Sequence, residues 1–564
     1  MTATTPIRGP GSRAAAPAMK WWGWGDPGVE FTHEDKPGLA PFIREALGID
    51  VTRAGTSVPA FDALPVPEPE LPDALRAVLE RAGDVSTDAH DRVVHGRGKS
   101  LRDLVRQRRG ELGRLPDAVA RPADEAGVAA VVQAVLDADA VLIPFGGGTS
   151  ISGSLEPPAG EARPVISLDL SRLSQVLDID PVSRLARVQA GVLGPDLERQ
   201  LAERGWTLGH FPDSFTHSTL GGWIATRSSG MQSDRYGDIA DLTRAVRVIT
   251  PAGLLATRPV PATSTGPSVR EMVLGSEGRL GVITEATVHV RRLPAERVIL
   301  GYLFPTWEES LAAMRDIAAS EASPSVTRVS DAYETRFSFA TRKDPTALDK
   351  LKSAALRTYL TKRRGFDVGE MCLSFIGYEG TERHVAAQRK LTGRIVSSHG
   401  GLCIGASPGE LYDQKKFDTP YIRDFLLDRG TLADVSETSA PWSALQPLYD
   451  AVMAAARDAF AALRVQGYIM CHLSHSYHAG ACLYFTFAFE PRPGGEELDQ
   501  YARVKSAIQQ AFVDNGATLS HHHAVGTEHA EWLAQDLSAP GTAMLRALFD
   551  GFDPGANFNP GKIV

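Results

Sequence analysis

Three consecutive histidines, His521, His522 and His523, sit in the run "SHHHAVG". Imidazole ionises near pH ~6.5, so these side chains suit proton transfer around neutrality. A pair of imidazoles can also hold a divalent metal. No carboxylate or cysteine lies close by in sequence to complete a ligand set, so no metal is expected. In an extended segment alternate rings face opposite sides, so at most two can share one site. Surface histidines are the plainer reading. A second candidate is Tyr484 in "ACLYFTFAFE". Leu483, Phe485, Phe487 and Phe489 fall on one face of a strand, and Cys482, Tyr484, Thr486 and Ala488 on the other. The aromatic face belongs in a core, which turns Tyr484 the other way, where a site could lie. A core tyrosine bonded to a backbone carbonyl is the commoner role for such a residue.

A third candidate binds rather than reacts. "PFGGGTSISGS" follows the apolar run Val141, Leu142, Ile143. A glycine-rich turn after a strand aims several backbone N–H groups at one anion. Two familiar templates fail here. No Gly-Lys-Ser/Thr occurs in this loop, and counting G-x-G-x-x-G from Gly146 puts Ile151 where the third glycine belongs. A tight turn beside a close strand crossing explains the three glycines equally well. Two further stretches shift that balance. "GHFPDSFTHSTLGGWIATRSSGMQSDRYGDI" and "GSEGRLGVITEA" are rich in Gly, Ser and Thr and poor in bulky apolar residues. Three such loops suggest a pyrophosphate-containing cofactor held largely by backbone.

The elements that must position these residues are α/β in grain. Val128, Val131, Val132, Val135 and Leu136 recur at helical spacing behind Asp124, a plausible N-cap. "RPVISLDLS" and "LARVQAGV" read as strands, and "PDLERQLAERG" as a helix opened by Pro and closed by Gly. "EGRLGVITEATVHVRRL" reads as a closing hairpin of strands. "WWGWGDPG" is too aromatic for a linker and should anchor the N-terminal segment. "LPVPEPELP" reads as an extended connector. The chain has 564 residues, net charge −9 and 43% hydrophobic residues. That is ordinary for a multidomain globular protein and gives no sign of a nucleic-acid binder. The four cysteines form no C-x-x-C pair, which fits a reducing compartment. No apolar run approaches a membrane span, and no secretory signal is readable in the first eighteen residues. A cytoplasmic placement is expected.

The motifs "GHFPDS", "STLGGWIATRSSGM", "YGDI", "GSEGRLGVITEATV", "SETSAPW", "YHAGACLYFTFAF" and "LSHHHAVG" together resemble the alkyldihydroxyacetonephosphate synthase family. That family belongs to the vanillyl-alcohol-oxidase and p-cresol-methylhydroxylase superfamily of flavoproteins. The resemblance covers nearly all the chain after residue 20. It implies an α+β, two-subdomain FAD-binding domain plus a second α/β substrate, or cap, domain. The expected division is a disordered tail at 1–20, an N-terminal segment at 21–113 and the FAD-binding domain at 114–297. The substrate domain then takes 298–510, and 511–564 completes the active site.

The resemblance places FAD, bound non-covalently, on three stretches. The pyrophosphate loop is Pro144, Phe145, Gly146, Gly147, Gly148, Thr149 and Ser150. The second stretch is Asp213, Ser214, Phe215, Thr216, His217, Ser218 and Thr219, followed by Thr226, Arg227, Ser228 and Ser229. The third is Glu277, Gly278, Arg279, Leu280, Gly281, Val282 and Ile283. The resemblance also makes Tyr484 the proton donor and acceptor, with His521, His522, His523 and His210 needed for activity. Arg423 and Arg328 match family arginines, and a phosphate dianion needs the planar bidentate donor that arginine provides. The implied reaction exchanges the acyl group of acyl-dihydroxyacetone phosphate for a long-chain alcohol through a flavin N5 adduct, with no net redox change. A homodimer with peripheral membrane contact is expected. The rival is an FAD-dependent 2-hydroxyacid dehydrogenase of the D-lactate or glycolate type. Its H-x-G-D-G-N-x-H metal motif reads "HAGACLYF" here, and Phe485 cannot ligate a metal.

Overall fold

The structure is a computed structural model and describes residues 19–343, 347–418, 420–494 and 496–564. The tail expected at 1–20 lies outside that range except for Met19 and Lys20. Those two are buried, and Lys20 Nζ donates to the Val29 carbonyl at 2.6 Å.

Two small sheets build the first half. One runs in the order Gly83–Ser86, Ala118–Pro122, Val165–Asp169, Val141–Phe145, parallel except at its first pair. The other is antiparallel, in the order Val176–Asp180, Leu185–Gln189, Val282–His289, Thr243–Thr250, Gly253–Ala256. The apolar run of Val141–Phe145 is buried almost throughout, as a parallel strand covered on both faces must be. Asp124 caps the helix Glu125–Asp137 by accepting from Gly127 N at 2.8 Å. The stretch 277–293 is not a hairpin. Val282–His289 is one strand inserted between Leu185–Gln189 and Thr243–Thr250, and Arg291–Arg292 pairs instead with Trp206–Thr207.

The second half is built on a seven-stranded antiparallel sheet. Its order is Leu402–Gly405, Glu296–Phe304, Cys372–Gly380, Val326–Ser330, Gly467–Ser476, Gly480–Phe489, Leu432–Pro441. The alternation read from "ACLYFTFAFE" holds: Leu483, Phe485, Phe487 and Phe489 are fully buried. They share one core with Leu448, Val452 and Phe460 of the helix Leu445–Leu463 and with Val504, Ile508 and Phe512 of the helix Glu497–Asp514. The C-terminal residues return to the first half. Phe558 is buried in the core of the parallel sheet, and Asn559 N donates to the Leu142 carbonyl at 2.9 Å.

The three consecutive glycines answer to a close approach between loops. A Cβ on Gly146 would sit 2.3 Å from Thr219 Oγ1, and one on Gly147 would sit 1.7 Å from the His217 carbonyl oxygen. The first glycine-rich loop is thus pressed onto the second polar loop, and only glycine fits between them. Gly147→Ala is expected to force the loops apart at a cost of about 1–3 kcal/mol. A shift of the urea unfolding midpoint, with a matching loss of bound flavin, checks this.

Candidate active site

A cavity of about 550 Å³ separates the three glycine-rich polar loops from the seven-stranded sheet. Its polar end is made by Pro144–Ile151, Asp213, Ser214, Ser218, Thr219, Thr226, Ser228, Ser229, Glu277, Gly278, Gly281 and Ile283. Its other wall is the sheet, through Arg328, His472 and Tyr484 among others. Beyond them the lining turns mainly apolar, with Arg342 set over the Phe339 ring at 5.0 Å. Phe42, Ile43 and Leu47 of the helix Leu39–Leu47 meet Phe337, Phe339, Ile422 and Leu426 there.

Tyr484 stands where these regions meet. In strand register it lies between His472 on one neighbour and Glu437 on the other. The His472 ring stacks on it at 4.8 Å, while His522 and His523 approach at 6.0 and 5.4 Å. The histidines are not extended. Glu437 pulls their backbone into a tight bend: Oε2 accepts from His521 N at 2.7 Å, and Oε1 accepts from His522 N and His523 N at 3.0 Å each. Ser520 Oγ donates to the same carboxylate at 2.9 Å. The segment is bent, not extended, and two of its three rings, His522 and His523, line the cavity while His521 stands behind them.

The electrostatics follow from burial. Burial works to raise the Glu437 carboxyl, but the imidazoles and backbone N–H groups around it outweigh burial and hold it well below its usual range. Burial pushes His521 down to about 4 and His522 well below 6.5, so both rings are neutral near pH 7. Burial, with the nearby charges of Asp213 and Glu437, pushes the Tyr484 phenol well above 10. Tyr484 therefore keeps its proton at rest and needs a neighbouring base to give it up.

Glu437 also corrects the sequence view of ligand chemistry. It and Cys482 arrive from two other strands, and with His521 and His522 their donor atoms all lie within 4.8 Å. The carboxylate already accepts five hydrogen bonds, four from the histidine loop and a long one from Cys482 Sγ at 4.0 Å, so the group is organised as a hydrogen-bonded cluster.

Arg328 and Arg423 both line the cavity, in different states. Arg328 Nη2 donates to Glu334 at 2.7 Å and lies 3.1 Å from His472 Nδ1. Burial would raise Glu334, but His472 and Arg328 bring it down to about 2, so this arginine is already paired. Arg423, on the helix Tyr421–Leu427, keeps a buried Nε with no hydrogen-bond partner.

Several sequence candidates stand away from the cavity. His210 is buried behind the second flavin loop, bonded through Nε2 to Ser228 Oγ at 2.8 Å, and burial drives it down to about 3. It holds Ser228, which does line the cavity. Phe215 stacks against Trp223 and Phe417, and His217 packs edge-on to Trp24. Arg227 pairs with Glu271, while Arg279 lies over Phe549. Thr216, Leu280, Val282 and His521 also lie outside the lining. Sequence reasoning missed Trp24 and Asn559, which both line it. Asn559 Nδ2 is spent on the Ser154 and Glu277 carbonyls, but its Oδ1 is buried without a partner. An unspent acceptor among serine, threonine and glycine donors fits a ligand such as FAD, which carries both donors and acceptors.

Residues 116–257 match the FAD binding domain family, and residues 293–563 match the C-terminal domain of FAD linked oxidases. The chain is 36% identical to alkyldihydroxyacetonephosphate synthase of Dictyostelium discoideum, over 97% of this chain and 93% of that protein. The chain belongs to the alkyldihydroxyacetonephosphate synthase family. A solved structure of an alkyldihydroxyacetonephosphate synthase superposes with a TM-score of 0.83 at 35% identity, covering 97% of this chain and 99% of that one. The wider fold is shared with p-cresol methylhydroxylase, at a TM-score of 0.63 and 14% identity over 88% of this chain and 98% of that one. The synthase-family chain is thus an FAD-binding protein, and among its described residues no helix is long and apolar enough to cross a membrane.

Glu437→Gln is expected to destabilise the synthase-family fold at pH 7 by about 1.5–3 kcal/mol, the range for hydrogen bonds to a charged group. A carboxyl held low in the folded state stabilises above its unfolded value of 4.5 and loses that contribution as pH falls. The gap between wild type and variant should therefore close below pH 4.5, as read by denaturant unfolding across pH.

Proposed function

We propose that this protein is an FAD-dependent transferase that exchanges the acyl group of acyl-dihydroxyacetone phosphate for a long-chain alcohol. The observation that carries the reading is a single cavity lined by the flavin loops, by the apolar side chains of Phe42, Ile43 and Leu47, and by Tyr484, His522, His523 and Arg423. FAD, when bound, would supply the electrophilic centre that holds the reacting carbon between departure of one oxygen substituent and arrival of the other. Gly146, Gly147, Ser218, Thr219 and Ser229 would hold it, without a covalent bond.

The chain's own residues have distinct tasks. The Arg423 guanidinium, with its unspent Nε, binds the phosphate headgroup. Arg328 lines the same cavity but is already paired with Glu334, and contributes less. Tyr484 mediates proton transfer at the carbon bearing the acyloxy group, with a neutral imidazole beside it to take the proton. The apolar arm receives the acyl chain and then the alcohol. Its side chains also keep out water, which would otherwise compete with the alcohol. Substrates of this kind come from lipid surfaces, so we propose peripheral membrane contact and a homodimer. Vesicle flotation and light scattering check these two properties.

Wild-type protein in anaerobic buffer without an electron acceptor is expected to form ether product from acyl-dihydroxyacetone phosphate and a long-chain alcohol. Acceptor-dependent oxidation of D-lactate or glycolate in place of exchange would contradict the reading. Tyr484→Phe should keep its flavin and lose turnover by on the order of 10²–10⁴-fold, as expected for a general acid–base group. Arg423→Lys should raise KM for the phosphorylated substrate with flavin content unchanged, because lysine keeps the charge and loses the fork. Acid precipitation should release the yellow colour into solution.

A further inference from the structure

Tyr477 and Asp238 lie outside the cavity wall, yet a line of hydrogen bonds joins them to its histidines. Tyr477 Oη is 2.9 Å from Asp238 Oδ2 and 2.6 Å from His521 Nε2. His521 Nδ1 is 2.9 Å from His522 Nδ1. All three contacts are within hydrogen-bonding range. The proton positions follow from valence. A carboxylate only accepts, so the single Tyr477 hydroxyl proton points to Asp238. Tyr477 Oη must then accept from His521, which places the His521 proton on Nε2. A neutral His521 is left with a bare Nδ1, so His522 donates to it from Nδ1. The Glu437 carboxylate, 3.5 Å from that same His522 nitrogen, favours a proton there. His522 is left with a bare Nε2 on the opposite edge of a ring that lines the cavity beside Tyr484.

The proposed exchange supplies a reason for such a line, and the role given to the line rests on that reading of the site. A carbon–oxygen bond forms to the alcohol oxygen, and the bond to the departing carboxylate breaks with its electron pair. The alcohol's O–H proton is left over, so one proton per turnover must leave the cavity while no electrons change hands. We infer that His522 is the base that receives this proton, and that His521, Tyr477 and Asp238 form the relay that carries it outward. The proton enters at His522 Nε2, and the Nδ1 proton of His522 passes to His521 Nδ1. The Nε2 proton of His521 passes to Tyr477 Oη, whose own proton passes to Asp238. Asp238 and Tyr477 are half-buried, and His478 and Ala479 next to Tyr477 are exposed, so the line runs towards the surface; Asp238 Oδ1 is buried without a partner, an unspent acceptor at the end of the line. His475 lies against the His521 ring at 5.3 Å with Asp234 beyond it, which keeps that ring in the line.

The test uses the full chain loaded with FAD and labelled with ¹⁵N at histidine, with signals assigned by His521→Gln and His522→Gln. The relay requires His521 as the Nε2–H tautomer and His522 as the Nδ1–H tautomer, with the His521 tautomer no longer fixed in Tyr477→Phe. The opposite tautomers in the wild type would overturn it. In the exchange assay, Tyr477→Phe and Asp238→Asn should bind FAD and lose kcat by about 10–10²-fold, at or below the low end for proton-transfer groups. KM should stay unchanged, and added imidazole, a diffusible proton carrier, should restore part of kcat. Undiminished kcat in both variants, or a loss that imidazole does not relieve, would contradict the relay. If the wild type performs no exchange, the functional reading fails, and the tautomers alone still decide the proton line.

Discussion

The site depends on one buried carboxylate. Glu437 holds the backbone of His521, His522 and His523 in a bend, and its strand pairs it directly across from Tyr484. A buried charge with no partner is costly, so the histidine loop and the carboxylate must be formed together or not at all. A second buried acid fastens the far end of the same loop. Glu277 in the third flavin stretch accepts from Val525 N at 2.9 Å and Gly526 N at 3.1 Å. The loop carrying the histidines is thus tied to the substrate sheet by one acid and to the flavin loops by another. The catalytic groups cannot shift against either wall without breaking these bonds.

The same economy explains the shape of the cavity. Flavin loops from the first half supply backbone donors and hydroxyls, and the broad sheet of the second half supplies Tyr484, His472 and Arg328. The N-terminal helix Leu39–Leu47 then lays Phe42, Ile43 and Leu47 along the far end and makes it apolar. A ligand reaching from one end to the other must be charged or polar near the flavin and hydrocarbon beyond it. That is the profile of a phosphorylated ester with a long acyl chain, and a poor match for a small hydroxyacid.

What the sequence reveals divides along contact range. The strand alternation around Tyr484 and the three polar glycine loops are local patterns, and the structure bears out both. The shape of the histidine loop was not legible, because it is set by Glu437 across 84 positions of chain. The Tyr477–Asp238 contact spans 239 positions, and no spacing rule could pair them. Arg423 joins an unspent buried donor to a place in the cavity lining, a property of its surroundings. The helix Leu39–Leu47 is a different kind of omission. Leu39, Phe42, Ile43 and Leu47 recur at helical spacing before Gly48, whose φ of 76° ends the helix, so a local pattern was there to be read.

The central claim is that this site swaps an oxygen substituent at carbon without a redox step. Supplying the long-chain alcohol with ¹⁸O in its hydroxyl group tests it most directly. The account predicts that the ether oxygen of the product carries the label and that the released fatty acid carries none. Label recovered in an ester of the fatty acid, or an unlabelled ether, would contradict it.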